Sequence, residues 1–307
     1  MARYLFSRLT QSVFVLWAVV TLAFFMIKAT PGNPFASDKA ASKYVIEQNN
    51  KAFGLDRPLS EQYVKYLGNL LRGDLGWSFK FEGRSVREII GEGFPISLKL
   101  GSLSLLMALG LGVPIGLYSA VRKNRWQDHL LMALAMLGIC LPTFVSGPAL
   151  AMIFGLKLGW FNVAGLYEWS DWVLPAATLG LVYTAGFARM TREGMLEALS
   201  QDFIRTARAK GVPGWQIVVK HALRPALLPL LSVLGPAVAG LVVGSLVVET
   251  VFKIPGLGQH FTEAIMNKDY SLVLGTVAFY CAFIVAANLI VDVLQVLFNP
   301  RLKFSNE

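Results

Sequence analysis

Charge is scarce in this chain. Of 307 residues, only 15% are Asp, Glu, Lys or Arg, against 55% hydrophobic. Soluble domains carry roughly 25% charged residues, so a water-soluble globular protein is excluded. Cysteine is rarer still. Cys140 and Cys281 each stand inside an apolar block, which implies no disulfide framework and no metal-site spacing. The three histidines, His129, His221 and His260, fall in separate loops by sequence, and no HExxH occurs. No Gly-Lys dipeptide exists, so the phosphate loop that needs a lysine after its glycines is absent. No GxSxG exists either, so no nucleophile elbow is expected. The chain therefore reads as having no catalytic residue, no metal site and no nucleotide site of its own.

What is present is apolar sequence in long blocks. A bilayer core of about 30 Å needs about 20 apolar residues as a helix. Six blocks reach or approach that length: Leu9–Ile27, Ile96–Ala120, Leu130–Leu156, the shorter Val173–Ala188, Ala226–Val248 and Leu272–Phe298. The class is an all-α polytopic membrane protein with six transmembrane helices. The first block follows Arg3 and Arg8 and is longer than a signal-peptide core, without a clean small-x-small site after it, so it reads as an uncleaved span. Pro142 and Pro148 should kink the third span, which neighbouring helices tolerate in lipid.

The formal net charge is +9. In a soluble protein that would suggest nucleic acid; here excess Lys and Arg in cytoplasmic loops accounts for it. The basic short loops, VRKNRWQD, Arg189–Arg224 and the tail NPRLKFSNE, all fall on the side of the N-terminus. The loop Arg189–Arg224 alone has seven basic and three acidic residues. Both termini are therefore expected in the cytoplasm.

Residues 29–95 carry nine basic and eight acidic residues, a balance that a translocated loop tolerates. Tyr63, Tyr66, Leu67, Leu70 and Leu71 follow helical spacing, which predicts an amphipathic helix over Glu61–Arg72. Ser85 with Glu88 fits a capping box opening a helix that runs to about Glu92. Residues 1–93 are thus expected to hold the first span and a small external helical segment, 94–298 the transmembrane core with a cytoplasmic loop at 189–225, and 299–307 a cytoplasmic tail.

The stretch DFIRTARAKGVPGWQIVVKHALRP, Asp202–Pro225, is the strongest polar break in the second half. Ser200 or Asp202 can cap a helix start. Gly211 can end that helix in a left-handed turn, and Pro213 prevents it from resuming at once. A helix of about two turns is unstable alone and needs a surface to pack on. The plain alternative is a solvated basic loop.

Two acids lie near apolar blocks. An intramembrane dyad of Asp292 and Glu249 is disfavoured because they sit near opposite ends of their spans. Asp292 reads as structural at the cytoplasmic boundary, and Glu249 as either structural or lining a substrate path. Small residues repeat at four-residue spacing at Gly112/Gly116, Gly155/Gly159 and Gly240/Gly244, a signal for close helix packing.

The wording RTARAKG and HALRPALLP resembles the cytoplasmic "EAA" loop of ABC importer permeases, with Ala207 and Gly211 at matching positions and Arg205 where the family's glutamate stands. That departure resembles the peptide/nickel branch. FPISLKLG (Phe94–Gly101), VVETVFKIPGLG (Val247–Gly258), DYSLVLG (Asp269–Gly275) and VDVL with NPR (Val291–Arg301) extend the resemblance over the chain. Within the branch, the chain is most similar to B-type membrane subunits of oligopeptide permeases, with dipeptide and nickel permeases as near relatives.

The resemblance implies a type I ABC importer permease fold with an external helical insertion between spans 1 and 2, in the bacterial inner membrane. It implies inward peptide transport driven by ATP hydrolysis elsewhere. The implied partners are a second homologous permease subunit, two cytoplasmic ATPases that bind the ATP and magnesium, and an external peptide-binding protein. It makes Phe203, Arg205, Thr206, Ala207, Arg208, Ala209 and Gly211 the candidate ATPase-coupling residues. A secondary transporter is the rival reading; it would want several buried acids or broken half-helices in repeats.

Overall fold

The computed structural model describes residues 2–30, 34–35 and 43–298. The predicted tail, 299–307, lies outside them. Every regular element among the described residues is helical apart from one isolated bridge between Trp77 and Ser85. Five helices are long and apolar enough to cross a membrane, and a bent pair makes up to six. The chain forms two compact units, Met1–Ile96 with Pro255–Val285, and Ser97–Ile254 with Ala286–Glu307.

In the first unit, helix α1 covers Ala2–Ala29 and contains neither Gly nor Pro. Helices α2 (Lys43–Ala52) and α3 (Leu59–Leu71) follow. The predicted amphipathic helix is thus present, two residues earlier at its start. Its tyrosines meet α1: Tyr63 lies 5.4 Å from both Phe24 and Phe25, and Tyr66 stacks 5.6 Å from Phe24. The hydroxyls of Thr21 and Tyr63 share a hydrogen bond of 2.7 Å. Such ring pairs contribute about 0.5–1.5 kcal/mol each beyond area burial. A second aromatic group, Phe35, Phe53 and Phe79, has centroids 4.5–5.6 Å apart.

The connection after α3 is tied down by one buried acid. Asp269 accepts hydrogen bonds from Ser78 Oγ, Lys80 N and Leu272 N, the last capping the start of helix α14 (Tyr270–Phe298). Helix α13 (Leu257–Met266) precedes it. His260, expected in a loop, is in α13.

Helix α4 covers Val86–Val121. Its capping box forms as expected: Ser85 N donates to Glu88 Oε2 (3.1 Å) and Glu88 N to Ser85 Oγ (3.2 Å). The expected stop near Glu92 does not occur. Pro95 removes one donor but leaves the chain helical, so the helix opened by the capping box and the expected second span form one helix of 36 residues.

In the second unit, the chain bends by 107° between helix α5 (Trp126–Cys140) and the helical run Thr143–Lys157, which helix α6 (Thr143–Leu150) opens. The expected kinked third span is therefore a sharply broken one. Pro142 cannot donate and holds the preceding Leu141 extended, at φ −91° and ψ 113°. Pro148 stays inside α6, which passes into a π-helical turn, Ala151–Lys157. His129 lies within α5, not in a loop.

Helix α7 spans Val173–Ser200, overrunning the expected end at Ala188 by three turns. Charges at Arg189 and beyond mark the end of the apolar block, not of the helix. This helix is the hub of the second unit. A Cβ added at Gly112 of α4 would sit 2.8 Å from Thr184 O, and one at Gly116 would collide with Ala188 O, so the expected small-residue contact is real there. Gly240 instead faces the Tyr183 hydroxyl. The expected fifth span is present as one apolar run, Leu228–Phe252, made of helix α11 (Leu228–Val243) and helix α12 (Ser245–Phe252) with a single turn residue, Gly244, between them.

Candidate coupling surface

Helix α8 covers Asp202–Ala209, eight residues after Gln201. Neither Ser200 nor Asp202 caps it: Gln201 is the N-cap without a side-chain bond, and Ser200 Oγ donates backward to Glu197 O (2.7 Å). Its far end is the expected left-handed turn. Gly211 has φ +76°, Gly211 N donates to Arg208 O (3.0 Å), and Val212 N donates to Ala207 O (3.2 Å). That pair of bonds is the Schellman arrangement, which satisfies the last free carbonyls. Helix α9 (Gly214–Gln216) begins after Pro213, runs into a π-helical turn at Ile217–Ala222, and continues as α10 (Leu223–Ala226).

The inner face of α8 is built from Ile204 and Ala207, three residues apart. Ile204 is fully buried, and Ala207 is 7% exposed. Both pack with Ala120, Met195, Ala198, Ile217, Ala222 and Ala226. Burying an isoleucine is worth about 1.5–3 kcal/mol, which supplies the stability so short a helix lacks. Ala207, a candidate for the ATPase contact, faces its own chain in this structure. Its small size admits α8 to the ends of α7 and α10.

The outer face carries the other candidates. Phe203, Arg205, Thr206, Arg208, Ala209 and Gly211 are all exposed. Phe203 is 45% and Trp215 63% exposed, so two large apolar side chains stand in solvent within a basic stretch of sequence. Arg205 reaches Asp202 at 3.3 Å, with both side chains in solvent; pairs of this kind contribute about 0–1 kcal/mol and leave the guanidinium available.

Behind this surface is a cluster that sequence reading missed. Asp128 of α5 is 1% exposed. Arg192 of α7 donates to both its oxygens, Nε to Oδ1 and Nη2 to Oδ2, each at 2.7 Å. Ser119 Oγ donates to Oδ1, and Asn124 N to Oδ2 at 2.9 Å. The turn between α4 and α5 is thereby fastened to α7 one turn before Met195. Asp128 is the only acid in a basic loop, the single hint that it needed a cation.

Glu249 lies elsewhere, in α12, with no exposed surface. Ser97 Oγ donates to its Oε1 (2.6 Å), and Ser245 Oγ lies 2.5 Å from the same atom. In this chain it is enclosed in the helix bundle. Asp292 is half-buried in α14.

Residues 112–304 match the family described as "Binding-protein-dependent transport system inner membrane component", and residues 1–101 match "Binding-prot-dependent transport system membrane comp, N-term". The chain belongs to this family. The oligopeptide transport system permease protein OppB of Haemophilus influenzae is 40% identical over 99% of this chain and 100% of its own length. OppB of Escherichia coli K12 is 39% identical over the same shares. The dipeptide transport system permease protein DppB of Bacillus subtilis is 38% identical, over 99% of this chain and 98% of its own. Among solved structures, the inward-facing MetNI methionine ABC transporter aligns over 69% of this chain and 97% of its own, at TM-score 0.58 and 19% identity. That likeness carries the fold: an all-helical ABC importer permease of type I. This permease is thus a multi-pass inner-membrane transport component, working with ATPase and substrate-binding partners, and is not itself the enzyme.

Proposed function

We propose that this permease moves peptides, foremost oligopeptides, inward across the bacterial inner membrane, and that the outer face of α8 is its dock for a cytoplasmic ATPase. The observation that carries the cargo is full-length identity of 39–40% to permeases named for oligopeptides. A dipeptide cargo is the second reading, favoured by the 38% identity to a dipeptide permease. The observation that carries the dock is an exposed Phe203, Arg205 and Arg208 on a helix whose opposite face is bolted to the chain.

In this reading the complex holds a second homologous permease subunit, two ABC ATPases and an external peptide-binding protein. ATP and magnesium are held by the ATPases, and no cofactor by this chain. N- and C-termini are cytoplasmic. When the ATPases close on ATP they displace α8. Because Ile204 and Ala207 are packed against Met195 and Ala198, that displacement passes first into α7 and then, through Ala222 and Ala226, toward α11. For hydrolysis to drive transport, the ATPases must bind the two permease states with different affinity.

The test is reconstitution of the four-protein complex with its binding protein in vesicles, with peptides of two to eight residues. ATP-dependent accumulation of peptides supports the reading, and the length profile separates oligopeptide from dipeptide transport. Hydrolysis that no peptide-loaded binding protein stimulates, with no peptide accumulated, would sink it.

A further inference from the structure

The first unit contains a cavity of about 310 Å³ between α1, α3 and the start of α14, which no role above uses. Its lining has three cations, Lys28, Arg57 and Lys65, and one carboxylate, Asp74. Asp74 Oδ1 already accepts from Gly76 N at 2.9 Å. Among the described residues none of the three cations forms an ion pair. Lys28 Nζ lies instead over the rings of Phe24 (5.8 Å) and Tyr270 (5.7 Å). Tyr66 also lines the cavity, and its buried hydroxyl has no hydrogen-bond partner among the described residues. Burial pushes this phenol up to about 12, so it remains a donor. An unmet donor and unpaired positive charge round one cavity want an anion.

Position narrows the anion. Lys28 is in the last turn of α1, a helix that crosses the membrane, and Tyr270 opens α14, which also crosses it. The cavity therefore lies where spans leave the bilayer, at the depth where lysine reaches for headgroups. Apolar side chains, Phe24, Phe53, Leu75, Trp77 and Phe79 among them, make up much of the rest of its lining. Leu22, Phe25 and Met26 continue an exposed apolar surface down α1. A ligand with a charged head and a hydrocarbon tail suits both halves.

We propose that this cavity binds the phosphate ester headgroup of an anionic phospholipid. Lys28 holds the phosphate, Arg57, Lys65 and the Tyr66 hydroxyl supply further donors, and the acyl chains lie along α1. Lysine and arginine hold phosphate oxygens through short charge-assisted hydrogen bonds. The site stands whether or not the cargo is a peptide.

The experiment uses the assembled transporter purified in detergent and titrated with phosphatidylglycerol, phosphatidylcholine or inorganic phosphate, with bound lipid counted by native mass spectrometry. Phosphatidylglycerol should bind at one molecule per copy of this chain, and phosphatidylcholine should not compete. Lys28→Gln should weaken retention by about tenfold, the scale of one charge-assisted hydrogen bond. Lys28→Arg should restore it, and Tyr66→Phe, which keeps the ring, should weaken it by about threefold. Retention unchanged by Lys28→Gln, or equal retention of phosphatidylcholine, would overturn the site. Full displacement of phosphatidylglycerol by an equal concentration of inorganic phosphate would overturn the lipid as its ligand.

Discussion

Arg192 closes on Asp128 through two parallel hydrogen bonds of 2.7 Å, joining α7 to α5 across 64 residues of sequence. The Asp128 side chain is buried and the Arg192 side chain is 22% exposed. This pair sets where α7 stands relative to the α4–α5 turn, and α7 carries the floor on which α8 rests. Removing one partner leaves the other charge buried without compensation, at a cost of about 3–5 kcal/mol. Arg192→Ala should therefore lower the melting midpoint of the complex and uncouple hydrolysis from substrate. The double change Asp128→Asn with Arg192→Gln should cost less than Arg192→Ala alone, because no bare charge remains. Equal losses in single and double variants would show that the pair is not the origin of the effect.

Which parts of this could be read in the sequence follows from range. Local signals were legible: the Ser85–Glu88 box, the left-handed Gly211, and the tyrosine face of α3. Charge boundaries misled, because Arg189 and Arg192 end an apolar block while the helix continues to Ser200 on its own hydrogen bonds. Glu92 was the expected end of the capped helix, yet the helix runs on through Pro95, although proline inside a helix costs one bond and a clash, about 3 kcal/mol. The inner face of α8 was implicit in the Ile204–Ala207 spacing, but only the neighbouring α7 and α10 decide which face turns inward. The Asp128–Arg192 clamp has no local pattern at all.

Asp269 offers a second test. It caps α14 and holds Ser78 and Lys80 at once. Asp269→Ala removes a cap and leaves buried donors unmet, an expected loss of about 2–4 kcal/mol. The segment 72–85 should become a protease target in intact membranes while the transmembrane bundle stays inserted. Unchanged protection of that segment would show that its order does not depend on Asp269.

Orientation can be read by cysteine labelling. Cys140 is exposed and Cys281 buried, so Cys140→Ser and Cys281→Ala must come first. Single cysteines at Lys123 and Asn267, both exposed, then report opposite sides. With cytoplasmic termini, Lys123→Cys should react with an impermeant reagent only after the cells are opened, and Asn267→Cys should react in intact cells. Labelling of Lys123→Cys in intact cells would invert the topology.

The two faces of α8 make the sharpest prediction. Ala207 sits among Met195, Ala198 and Ala222, where a tryptophan has no room. Overpacking of this kind costs about 1–3 kcal/mol or more, so Ala207→Trp should displace α8 and lower the stability of the isolated permease. Gly211→Val forces a β-branched residue into φ +76°, a strain of about 1–2 kcal/mol, and should loosen the same helix from its end. Changes on the outer face should behave otherwise. Phe203→Ala and Arg208→Glu leave the inner packing alone, so the permease should keep its melting midpoint and insert normally. Phe203 has the larger apolar contact to lose, and Arg208→Glu a surface charge, so Phe203→Ala should release more ATPase on co-purification. Stimulated hydrolysis should fall in the same order. If Phe203→Ala and Arg208→Glu together kept full ATPase binding and full stimulation, the outer face of α8 would not be the dock. If Ala207→Trp left the permease's melting midpoint unchanged, the inward packing of α8 would be wrong as well.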